Sequence, residues 1–168
     1  MYLIIYSVGG FFLERIINLI FLGDFLDNSV LWGPIQPMYG LGVVITIIIY
    51  DKFIKRMTKS FIIKNLLLLI VAILATAVAE ASAGYGYELL TGKTLWDYSD
   101  TFTCSIAYVC LLPTSIFGLG SFLVVKFVHP FIKIFVGIIP KFVQRLIILL
   151  LIIDVIYTLV FVLDYIGF

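Results

Sequence analysis

Four side chains that ionise in water lie inside long apolar runs of this sequence. Glu14 and Arg15 fall near the middle of the run from Tyr2, Glu80 in the run from Phe61, and Asp154 in the run from Leu146. Each is expensive in hydrocarbon, roughly 3 kcal/mol for a charge at mid-span, so each must face protein, water or a partner charge. At helical spacing Ser7, Gly10, Glu14 and Asn18 form one stripe at intervals of three or four residues. A polar stripe with a glycine in it should face other helices or a wet cavity rather than lipid. Arg15 points about 100° away from Glu14, so it needs another partner, and Asp154 or Glu80 can supply one. Two readings stand: a polar pathway or binding site, or buried ion pairs that fix helix register.

Two further stretches are unusual. Gly33-Pro34-Ile35-Gln36-Pro37-Met38-Tyr39-Gly40-Leu41-Gly42 cannot be a regular helix throughout. Pro37 suits the first turn of a helix, whose exposed amides favour an anion if the loop dips into the bundle. The alternative is an ordinary outer turn with Trp32 and Tyr39 as interfacial anchors. Glu88 precedes a second stretch, Trp96-Asp97-Tyr98-Ser99-Asp100, whose rings suit a headgroup belt and whose Ser99 or Asp100 can cap the next helix. No nucleophile constellation, phosphate loop or metal-ligand spacing occurs, and His129 is the lone histidine. No metal and no cofactor are expected. An enzyme reading, a lipid enzyme using Glu14, Glu80 or Asp97, ranks lowest. Cys104 and Cys110 lie in an apolar run, where a helix would turn them to different faces, so a disulfide between them is not expected.

The elements that must hold these residues are membrane helices. The 168 residues are 63% hydrophobic and 12% charged, with a mean hydropathy of +1.21. A soluble domain of this length has too little interior for that apolar surface, so lipid is the expected solvent. Crossing the hydrocarbon takes about 20 apolar residues. The windows are 2–22, 37–50 (short unless it starts near Leu31; 34–50 with its proline-rich approach), 61–85, 102–125 and 146–163. The first lacks a basic leader and a small-residue cleavage site, and reads as a retained helix. Nine of the eleven Lys and Arg residues fall after the second and fourth windows, while Asp24, Asp27, Glu88, Asp97 and Asp100 fall after the first and third. The positive-inside rule then puts the N-terminus in the cytoplasm and the two unusual loops outside. Pro130–Pro140, apolar but too short to span, reads as an interfacial helix on the cytoplasmic face, or else as an extension of helix four. Ala75, Ala79 and Ala83 make a small-residue ridge for close helix packing, within the bundle or between copies. Pro113 in helix four predicts a kink. The expected fold is all-α: one polytopic transmembrane bundle of about five spans. The balanced charge gives no sign of nucleic-acid binding.

The chain resembles the CmpB-like family of bacterial ABC-transporter type IV membrane proteins. The matching residues are Glu14, then Gly33-Pro34-x-x-Pro37-Met38-Tyr39-Gly40-x-Gly42 (similar to a GPxxPIYGxG pattern), then Glu80, Glu88 and Trp96-Asp97-Tyr98-Ser99 (similar to WDYS), over roughly Phe11 to Pro130. Departures are Asp27-Asn28-Ser29, where the family has asparagine and an arginine–glycine pair, and Phe102-Thr103-Cys104-Ser105, where it has phenylalanine–asparagine and glycine. The resemblance implies a multi-pass cell-membrane protein, a small permease subunit handling a small solute. Five spans are few for a whole pathway, so a second copy or another membrane subunit is implied, and ATP coupling would require a cytoplasmic ATPase docking on Lys52–Lys59 or Phe131–Ile139. The alternative is a non-transporting accessory protein that assembles or regulates a partner.

Overall fold

A computed structural model describes residues 1–23, 29–99, 104 and 107–166, with the side chains of 21, 22 and 162–166 left aside. Asp24, Asp27, Asn28, Asp100, Phe102, Thr103 and Ser105 lie outside the described residues. Five helices are long and apolar enough to cross a bilayer, and among the described residues there is no strand. They are α1 (Tyr2–Leu22), α2 (Pro37–Met57), α3 (Phe61–Thr91), α4 (Leu111–Ile138) and α5 (Lys141–Ile166). At 1.5 Å per residue, α3 and α4 reach about 45 Å and 40 Å, so their ends pass beyond an apolar slab of about 30 Å.

Glycines end two of these helices. Gly23 (φ 69°) and Gly92 (φ 66°) take left-handed conformations that cost glycine little, and their amides close on Leu19 and Glu88 carbonyls. Two helices contain a single wide π turn, Tyr50–Ile54 in α2 and Val124–Val128 in α4. The first carries α2 on past residue 50, so Lys52, Lys55 and Arg56 belong to the helix end rather than to a linker.

The second π turn decides the fate of Pro130. A proline ring clashes with the carbonyl four residues earlier and lacks an N–H. Here the ladder has already shifted, with the His129 amide bonding Val124 O five residues back. The helix therefore runs through Pro130 to Ile138, and residues 130–138 extend α4 instead of forming a separate interfacial helix. Gln144 Nε2 then donates to the carbonyls of Val136 (3.2 Å) and Ile139 (3.0 Å), which lack helical partners at this end.

The start of α4 also differs from expectation. It begins at Leu111, not near 102, because Cys110 is extended (φ −129°, ψ 133°). Pro113 consequently sits in the first turn, where its missing N–H breaks no bond, and imposes no central kink. Cys104 and Cys110 form a disulfide, Cα–Cα 4.8 Å. The expectation of free thiols assumed a helix there; in a non-helical loop six residues close easily.

The chain divides into two compact units, Met1–Gly40 with Lys133–Phe168, and Leu41–Ile132. The first holds α1, the approach to α2, and α5. In it, Gly40 lies so close to α1 that a Cβ would overlap the Ser7 hydroxyl and the Leu3 carbonyl, and a Cβ at Gly10 would overlap Tyr39. The second holds α3 between the rest of α2 and most of α4. Gly42 meets Thr76 and Ala79, 3.6–3.8 Å from where its Cβ would be, and Gly118 meets the Ile73 backbone. Of the small-residue ridge of α3, Ala75 and Ala79 are buried in this unit and Ala83 is half-buried.

Candidate functional site

The polar stripe of α1 and the Gly33–Gly40 stretch come together in the first unit. Gln36 donates its backbone N–H to the Ser7 carbonyl (3.2 Å), which fixes the loop one residue before Pro37 opens α2. Tyr39 then lies across Gly10 and donates its hydroxyl to Glu14 Oε2 (2.9 Å). Glu14 is therefore met by a phenol rather than left in lipid. Ser7 Oγ, Gln36 Oε1 and Asn18 Nδ2 are buried and have no hydrogen-bond partner among the described residues. The Arg15 guanidinium lies 4.3 Å from the Phe11 ring centre, a cation–π geometry.

Asp154 meets the same loop from α5. Its Oδ1 accepts the Trp32 amide and its Oδ2 the Gly33 amide, each at 3.2 Å. The loop does present backbone amides to an anion, but they precede the helix and the anion is a side chain of the same chain. Glycine at 33 leaves room for it, since a Cβ there would stand 2.9 Å from Oδ2. The Trp32 ring packs edge-on against Tyr157 (5.3 Å) and beside Phe161 (5.9 Å). The arrangement spends Asp154 on a backbone clasp rather than on an ion pair with Arg15.

In the second unit, Glu80 is 3% exposed and takes the Thr114 hydroxyl at 2.5 Å. The contact of Gly118 with Ile73, one turn along, sets the helix separation at which so short a side chain reaches. Thr76, one turn before Glu80, is buried with its hydroxyl unpartnered among the described residues.

Tyr108, 1% exposed, is the hub of the stretch after α3. Its hydroxyl donates to Glu88 Oε2 (2.7 Å), its ring meets Tyr85 and Trp96 edge-on, and its carbonyl accepts the Trp96 indole N–H (3.2 Å). Gly84 makes room for it on α3. The bond to Glu88 pushes the Tyr108 hydroxyl up to about 12, with burial adding to it. Tyr98 N–H donates to the Ala107 carbonyl (2.7 Å), folding the segment back. Asp97 accepts the Ser99 hydroxyl (2.5 Å) and amide (2.7 Å), which hold its carboxyl below the usual carboxylate range. Ser99 thus closes a local turn on Asp97 and does not cap α4, whose N-cap is Cys110. Glu88 lies in the last turn of α3, not in a linker.

A family model described as "Putative ABC-transporter type IV" matches residues 1–164. The chain belongs to this family. No curated relative and no solved structure matches it. In this member, the Gly33–Gly40 motif seats the start of α2 on Ser7, Gly10 and Glu14, and the Trp96–Ser99 motif closes around Tyr108. Neither Tyr108 nor Thr114 stood out in the sequence. Each is a polar group in a largely apolar stretch, and only the partner across the fold marks it. Among the described residues no cluster of His, Cys, Asp and Glu could hold a metal ion.

Proposed function

We propose that this chain is the membrane-embedded subunit of an ABC-type transporter for a small solute in a bacterial cell membrane, and not an enzyme. Family membership over residues 1–164 carries the reading, and five helices of spanning length accord with it. The sequence has no phosphate-binding loop, so ATP coupling needs a separate cytoplasmic ATPase. Five spans also call for a second copy or another membrane subunit to complete a pathway. The orientation is N-terminus in, with basic residues of the α2–α3 turn and of α4–α5 in the cytoplasm. The Cys104–Cys110 disulfide supports it, since disulfides persist outside the reducing cytoplasm. The ATPase would dock on the Lys52–Lys59 turn or on Phe131–Ile139.

A second reading has its own observation. Asp154, Glu80 and Glu88 each bond a group of their own unit, as expected of an accessory protein whose buried acids hold the fold. Affinity purification from the host at native expression distinguishes the two. Co-purification of an ATPase, its stimulation by this chain, and loss of solute uptake on deletion are the results expected of a permease. An absent ATPase together with unchanged uptake refutes that reading and leaves the accessory one.

A further inference from the structure

The end of the second unit at the α2–α3 turn carries more positive charge than the chain itself neutralises. Lys52, Lys55, Arg56, Lys59 and Lys64 lie within thirteen residues of α2, the turn and α3. Against them stands Asp51, which is bound to Lys55 at 2.5 Å. Lys126 joins them from α4, its ammonium 5.1 Å from the Phe61 ring centre and 5.3 Å from those of Phe122 and Phe127. Among the described residues the side chains of Lys52, Arg56, Lys59, Lys64 and Lys126 have no carboxylate or hydrogen-bond partner.

The same corner is apolar as well as basic. Phe53 (58%), Met57 (70%), Phe61 (70%) and Ile62 (78%) are exposed between the cations. A soluble polyanion would satisfy the charges and leave these side chains in water. An acidic protein surface would need apolar cover of matching shape. An anionic phospholipid offers both at once, with a phosphate for the ammonium and guanidinium groups and acyl chains for the rings beside them. The rings hold Lys126 at the seam, where it can meet a phosphate without losing its cation–π contacts.

We propose that the Lys52–Lys64 turn together with Lys126 is a binding site for anionic phospholipid headgroups. Lipid on this turn leaves Phe131–Ile139 as the ATPase dock, and the site itself does not depend on whether the chain transports anything. It neutralises charge that would otherwise repel across the α2–α3–α4 corner, so lipid occupancy also holds these helix ends together.

The test is retention of phosphatidylglycerol against phosphatidylcholine on the detergent-purified full chain, read by native mass spectrometry and by lipid-dependent melting temperature. Near a membrane surface each basic residue is worth roughly a fivefold change in binding, so the triple variant Lys59→Gln, Lys64→Gln, Lys126→Gln should lose about a hundredfold for phosphatidylglycerol. Triple replacement by arginine should keep it, and Lys93→Gln, beyond the other end of α3, should change nothing. Helical content and gel-filtration profile check that each variant folds; if the glutamine triple does not, Lys126→Gln alone should lose about fivefold. Equal retention of the two lipids by wild type, or unchanged preference in the glutamine variants, overturns the site. Loss of a co-purifying ATPase with lipid retention intact makes the patch a protein dock and equally overturns it.

Discussion

Replacing Gly118 by alanine tests whether close approach of α3 and α4 is what holds the Glu80–Thr114 contact. A Cβ at 118 would stand 2.6 Å from Ile73 Cα, 2.6 Å from its Cγ1 and 3.0 Å from its N. Two of those atoms are backbone, so a rotamer change cannot relieve the clash and the helices must separate. Overpacking of this kind costs about 1–3 kcal/mol. Alanine also returns roughly 1 kcal/mol of helix propensity relative to glycine. The net loss should therefore be about 0–2 kcal/mol. Gly120, two residues on, supplies the internal control, since nothing stands within 4 Å of its Cβ position. Gly120→Ala should be neutral or stabilising by up to about 1 kcal/mol, leaving a difference of about 1–3 kcal/mol between the two substitutions. The assay is reversible unfolding in mixed micelles, followed by helical circular dichroism. Thr114→Val in the Gly118→Ala background should cost less than in wild type, because the separated helices have already weakened its bond to Glu80. Equal stability of the two alanine variants, or full additivity with Thr114→Val, would refute the account of the α3–α4 seam.

Three other outcomes follow from the geometry. Tyr39→Phe should destabilise by about 1 kcal/mol, and in a double-mutant cycle with Glu14→Gln the two losses should fall short of additive; additivity would mean that the phenol–carboxylate bond contributes nothing. Closing so short a loop by the Cys104–Cys110 bridge should be worth about 2 kcal/mol, read as a lower melting temperature under reduction, and a membrane-impermeant thiol reagent should label intact cells only after reduction. Labelling without reduction contradicts the bridge. The Tyr108 hydroxyl is raised from 10.0 to about 12, so its contribution to stability is complete below the unfolded value and disappears as pH rises through the folded one. Alkaline melting curves of wild type should drop over that interval, and those of Tyr108→Phe should drop less.

Much of this architecture was legible in composition alone. Apolar runs of spanning length and their alternating flanking charge specify five helices without reference to any contact, because hydrocarbon thickness and backbone satisfaction act on each segment locally. The stripe of Ser7, Gly10, Glu14 and Asn18 was equally legible, since it depends only on helical period. Helix ends were less so. The start of α4 depends on a loop pinned by Cys110 and by the Trp96–Tyr108 bond, and its passage through Pro130 depends on a π turn. Both are contests between local preference and distant contacts, which no window of sequence contains.

The partners of the buried acids belong to the same class of question. The sequence by itself determined that Glu14, Glu80 and Asp154 lie within spanning runs and must be compensated, because the cost of an unpaired charge in hydrocarbon depends on depth. Only the tertiary structure decided how: a phenol from the start of α2 for Glu14, a threonine on α4 for Glu80, and two backbone amides of the Gly33 loop for Asp154. A hydrogen bond is a matter of a few tenths of an ångström between groups 25 to 122 positions apart, and that separation is set by where small residues let helices touch.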